Sequence, residues 1–77
     1  MLSKRSVTLR GHATSVSLED EFWTELKRMA GEARISLGLL IERVDSRRGT
    51  ANLSSALRLA VLRDLRETAK ARAISEP

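Results

Sequence analysis

Thr14-Ser15-Val16-Ser17-Leu18 runs without a break into Glu19-Asp20-Glu21-Phe22-Trp23. The first half alternates polar and apolar residues, and the second opens an amphipathic helix. Thr14, Val16 and Leu18 point to one side of an extended chain, and Ala13, Ser15 and Ser17 to the other. Ser17 is placed to cap the helix, with Glu19, Asp20 and Glu21 in its positively polarised first turn. So short a strand leaves its backbone groups unsatisfied unless another strand pairs with it. The nearest source is a second copy of itself, and two-fold symmetry pairs the two antiparallel.

The residues just before offer a competing partner. Ser6-Val7-Thr8-Leu9-Arg10 also alternates, and Gly11-His12 reads as a two-residue hairpin turn. In that register Arg10 faces Ala13, Leu9 faces Thr14 and Val7 faces Val16, which puts Val7, Leu9, Thr14 and Val16 on one face. The alternative is that residues 1–11 form a flexible basic arm. His12 has no second His and no carboxylate at ligand spacing, so it reads as a loop residue, and neither metal nor cofactor is implied.

After the decisive stretch the pattern is helical. A first helix is expected from about Leu18 to Ala33, with Phe22, Leu26, Met29, Ala30 and Ala33 as its apolar stripe and Trp23 off to the side. Gly31 weakens its last turn, and Arg34-Ile35 forms the bend. Ser36 caps a second helix, in which Leu37, Leu40, Ile41 and Val44 are buried and Leu39 widens the face. Residues 45–51 form a polar loop. Asn52 caps a third helix reaching the low seventies. Its stripe is Leu53, Leu57, Ala60, Val61 and Leu65, and Leu59 and Leu62 broaden it toward more than one neighbour. The domain plan is therefore a basic arm at 1–11, a folded domain at 12–73 with an extra C-terminal helix, and a frayed tail at 74–77.

Composition narrows the function. Seventy-seven residues suit one small domain that needs a second copy to bury enough apolar surface. Val16, Leu40, Ile41 and Val44 are the expected dimer core. There is no cysteine, hence no disulfide framework, and two aromatics are too few for a base-stacking platform. No apolar run spans a membrane and no secretory h-region follows Lys4-Arg5, so the cytoplasm is the default location. The net charge of +4 is unevenly spread. Residues 1–16 carry Lys4, Arg5 and Arg10 and no acid, whereas residues 17–33 carry five acids against Lys27 and Arg28. A basic segment beside a strand suits phosphates. Nothing resembles an enzyme site. One His, no Cys, no G-x-S-x-G and no Gly-rich loop are present, and the acids of the first helix fit its positive end.

This order of strand, capped helix, tight turn and second capped helix resembles the ribbon-helix-helix family of bacterial DNA-binding proteins over residues 12–45. Three stretches resemble a short bacterial subgroup over nearly the whole chain: His12-Ala13-Thr14-Ser15-Val16-Ser17-Leu18-Glu19, Phe22-Trp23 and Asn52-Leu53-Ser54-Ser55-Ala56-Leu57-Arg58. The resemblance implies a mainly α dimer of about three helices per chain, with one short strand from each chain paired into an antiparallel ribbon that enters the major groove. It makes Ala13, Ser15 and Ser17 the base-facing positions. It also assigns a phosphate to the amides around Ser36, Leu37 and Gly38. Relatives often carry Arg, Lys, Asn or Gln on the ribbon, the side chains that contact bases bidentately, and here Ala and two serines stand there instead. Lys4, Arg5, Arg10 and the Ser36 helix start are then left to supply phosphate contacts, with Arg47 and Arg48 as additions. The expected partners are a second copy and duplex DNA, for a transcriptional regulator or antitoxin-like repressor. The competing reading keeps the dimeric scaffold as a protein-interaction module that has lost its base readers.

Overall fold

The structure, a computed structural model, describes residues 1–75. Two strands, β1 (Leu2–Leu9) and β2 (His12–Glu19), are followed by α1 (Asp20–Ala33), α2 (Leu37–Arg47) and α3 (Leu53–Ser75). The strands pair antiparallel as a hairpin, so residues 2–9 belong to the sheet and not to a free arm. The turn is Arg10-Gly11, one residue earlier than expected, with φ of 52° and 82°. Positive φ at both central residues is the type I′ geometry that matches the twist of paired strands. Its register sets Leu9 opposite His12, Val7 opposite Thr14 and Arg5 opposite Val16. β1 is thereby displaced by two residues from the expected pairing. A shift of two preserves which side each residue faces, so Val7, Leu9, Thr14 and Val16 still share one face.

Pairing with β1 also moves the start of the first helix. Ser17 and Glu19 are held extended opposite Lys4 and Leu2, and α1 begins at Asp20. Ser17 is therefore not its cap, and Glu19 in the cap position makes no side-chain cap bond. The Asp20 amide donates instead to the Met1 carbonyl (3.0 Å). At the far end Arg34 adopts the left-handed conformation at φ 57°. There the Ile35 amide donates to the Ala30 carbonyl and the Arg34 amide to that of Gly31, a Schellman closure with arginine where glycine is usual.

The core lies between the inner face of the hairpin and the three helices. Leu9, Val16, Leu18, Trp23, Leu26, Ile41, Leu57 and Val61 form it. Trp23, expected off the stripe, is 1 % exposed, whereas Phe22 is half-buried and Ala33 exposed. Trp23 lies at i, i+3, i+7 spacing with the buried Leu26 and Ala30, under the hairpin, where its indole N–H donates to the Ser3 carbonyl (2.9 Å). α2 runs three residues past Val44 because Arg48 pairs with Asp45 (2.6 Å) and holds the Ala51 carbonyl, and the chain then turns at Gly49 with φ 60°. Asn52 caps α3 through the Ser55 amide (3.3 Å). α3 buries Leu57 and Val61, whereas Leu59, Leu62 and Leu65 stay exposed. Leu59 stands about 200° round the helix from both buried residues, on the face turned to solvent. Helix continues through Ser75, and residues 76–77 of the expected tail lie outside the described residues. Among the described residues no helix is long and apolar enough to cross a membrane.

Candidate nucleic-acid interface

Strand parity builds the candidate surface. With Val16 and Leu18 packed inward, Lys4, Ser6 and Thr8 of β1 and Ala13, Ser15 and Ser17 of β2 share the outward face. Lys4 is paired with Ser17, Ser6 with Ser15 and Thr8 with Ala13, and all six are exposed. The face is smooth and hydroxyl-rich, with one cation. Hydroxyls donate and accept alike, and small side chains let backbone approach a ligand closely. Ser6 and Thr8 are members of this surface that the sequence expectation leaves out. The alternation around Val7 and Leu9 is their signal, and it becomes decisive only once the hairpin is known.

The basic residues near the N-terminus divide between two faces. Lys4 points outward. Arg5 lies on the inner side, its guanidinium 5.1 Å from the centre of the Trp23 ring, a cation–π contact that draws it away from the ribbon face. Arg10 is at the tip, where its amide donates to Glu42 Oε1 (3.2 Å) and its side chain is exposed.

The hairpin leaves β2 half-paired. A two-residue turn bonds Leu9 to His12, and the Met1–Asp20 bond closes the other end in the same phase. Bonded pairs therefore alternate through Val7–Thr14, Arg5–Val16 and Ser3–Leu18. The amides and carbonyls of Ala13, Ser15 and Ser17 point away from β1, along an open edge. Lys4 defends the outer edge of β1, but no charge or proline blocks the middle of the β2 edge.

The start of α2 forms a second polar element. Ser36 Oγ accepts from the Leu39 amide (3.1 Å), which is the expected cap. The amides of Leu37 and Gly38, in the first turn, have no intrahelical acceptor and sit at the positive end of the helix. Arg34 stands two residues before the cap and is exposed. In the sequence it reads only as part of a bend, although a cation just before a capping serine is a usable signal.

Several acids near these elements are paired, while Glu42 at the hairpin tip accepts, among the described residues, only the Arg10 amide. Glu19 ends the outward face and pairs with Arg58 (2.9 Å), whose guanidinium also lies over the Phe22 ring. The Arg58 hydrogen bond, helped by a backbone one, holds the Glu19 carboxyl below its ordinary value. The Ser3 hydroxyl donates to Asp20. Arg28 binds Glu25, Glu32 and Asp64 at 2.7, 2.9 and 2.7 Å, clamping α1 to α3. Asp64 first, then Glu25 and Glu32, hold its guanidinium more firmly protonated than usual.

The residues expected to form a dimer core divide as well. Val16 and Ile41 are 2 % and 0 % exposed within a single chain, closed over by their own neighbours, so a second copy is not what buries them. Leu40 and Val44 are half-buried against the core. Among the described residues no three His, Cys, Asp or Glu side chains are grouped to hold a metal.

Comparison with known proteins agrees with this architecture. A family described as a ribbon-helix-helix domain matches residues 2–75. The chain is similar to the solved structure of an uncharacterized protein from Bordetella pertussis Tohama I, at 38 % identity and a TM-score of 0.82. The alignment covers 94 % of this chain and 62 % of that one, so the chain spans about three fifths of its relative. No curated protein matches.

Proposed function

The chain belongs to the ribbon-helix-helix family, and on that premise we propose that it binds duplex DNA as a homodimer and regulates transcription. The observation that carries the reading is the open β2 edge beside an outward face of small, hydroxyl-bearing residues. Two such edges pair antiparallel across a two-fold near Ser15, giving a sheet in the order β1-β2-β2-β1. Four strands at about 4.8 Å spacing span roughly 14 Å, slightly more than the roughly 12 Å major groove. The central β2 pair therefore enters the groove with Ala13, Ser15 and Ser17 toward the bases, and each β1 lies at a lip of the groove, where Lys4 meets phosphate. Arg10 at the tips and the amides of Leu37 and Gly38 behind Ser36 take further phosphates, with Arg34 beside them. Arg5 contributes less, because Trp23 holds it on the other face. Affinity then comes mainly from phosphates, and the ribbon discriminates weakly between bases.

A salt titration of binding to a random duplex tests this. Log K should fall linearly with log salt at about 0.9 per neutralised phosphate. Replacing Lys4, Arg5 and Arg10 together by Ala should weaken binding to all duplexes alike and flatten that slope, whereas Ser15→Ala should matter less and at one base position. Absence of binding at low salt would favour the protein-interaction reading.

A further inference from the structure

A groove runs between the end of α2 and the first turns of α3. Val44, Leu59 and Ala60 contribute its apolar floor, and Arg47, Arg48 and Arg63 line it with charge. Arg48 is fixed by Asp45 and the Ala51 carbonyl. Arg47 and Arg63 have no acidic partner among the described residues. Arg66 and Lys70 follow Arg63 at helical spacing beyond the groove, with the exposed Glu67 among them. Leu59 is 45 % exposed at its start.

From this we propose that the groove docks an acidic amphipathic helix of another protein, its apolar side chains on the floor and its Glu or Asp residues against Arg47 and Arg63. Charge complementarity decides the occupant. A second copy would bring its own basic row to this one. Its Glu25 and Glu32 are held by Arg28 and its Glu19 by Arg58, and Glu21, Glu42 and Glu67 stand on three different helices and form no acidic row. A cleft of about 360 Å³ is at the small end of metabolite sites and suits a pair of partner side chains. Duplex phosphates would meet the arginines but have no use for an aliphatic floor. The surface is separate from the hairpin, and the proposal does not require the hairpin to bind DNA.

The probe is a fluorescein-labelled synthetic helix of about 18 residues, some five turns, with Leu on one stripe and Glu flanking it. A control peptide carries Lys in place of Glu. Anisotropy with the full chain should show saturable binding of the Glu peptide and none of the Lys peptide. Arg47→Glu with Arg63→Glu should weaken the Glu peptide about tenfold, as two rim ion pairs become repulsions, and should gain the Lys peptide. Amide shifts on the unmutated chain should be confined to the groove, which keeps the test valid if the double variant misfolds. No saturable binding, equal binding of both peptides, shifts elsewhere, or displacement of the peptide by duplex DNA would each overturn the proposal. So would an unmutated chain that self-associates through the groove, seen as dissociation when Leu59→Asp is introduced.

Discussion

At the residue scale two arginines occupy backbone conformations that glycine prefers, Arg10 at φ 52° and Arg34 at φ 57°. A left-handed residue other than Gly costs about 1–2 kcal/mol, and glycine's looser unfolded chain returns about 0.4–1 of that. Arg34→Gly should therefore stabilise the protein by roughly 0.5–1 kcal/mol in urea unfolding while weakening binding to every duplex. Stability and affinity moving together would remove Arg34 from the phosphate surface. Ser36→Ala, two residues on, should lower both, costing about 1 kcal/mol of stability. Glu19 gives the pH dependence. Its carboxyl titrates below the ordinary range because Arg58 binds it, so its contribution is present above the ordinary value and is lost as pH falls through the lowered one. Arg58→Gln should move the Glu19 titration upward by NMR, and the two proteins should converge in stability at the acid end. Ser36 is legible as a cap because a serine ahead of an apolar helix carries a local signal. Trp23 is not, since its burial depends on a hairpin whose register no local pattern specifies.

Among the elements, the hairpin has the widest effect on the rest of the fold. Alternation in residues 6–10 and 14–18 marks both strands, but it puts the turn at Gly11-His12 because glycine is the expected first residue of one common turn. The structure uses arginine first and glycine second, with both at positive φ. Gly11 has open space around it, so a side chain there would meet strain and no clash. Gly11→Ala should cost about 1–2 kcal/mol from backbone strain alone, read as a lower melting temperature with helical signal retained below it. A neutral result would mean that the turn had re-registered to another type. The same hairpin displaces the expected Ser17 cap, because strand pairing holds the backbone extended for two more residues. α3 shows the converse error. Its apolar pattern promises a wide buried face, but only the half beneath α1 and α2 finds neighbours.

At the scale of the whole molecule, one chain closes its own core. Chain length argues for a second copy as cover, yet α3 and β1 supply that cover in cis, which no composition rule distinguishes from burial by a partner. The Cα radius of gyration of 13.4 Å exceeds the roughly 11.5 Å expected for a compact chain of this length, as the projecting α3 requires. Ile41→Asp places a charge where the side chain is wholly enclosed and should unfold the monomer, with a loss above about 4 kcal/mol. Dilution of the natural sequence should instead give a folded monomer, with circular dichroism unchanged as the sedimentation coefficient falls. Loss of helix on dilution would show that folding and association are inseparable. The closure of β2 by β1 also sets an order of events in time. A chain whose only strand must find a partner folds at a rate set by how often two molecules meet. Here the hairpin joins residues a few positions apart, and such contacts form within microseconds to milliseconds. Refolding after a denaturant jump should show a main phase whose rate is independent of protein concentration. The two-fold assembly should come after it as a slower phase that accelerates as the protein is concentrated.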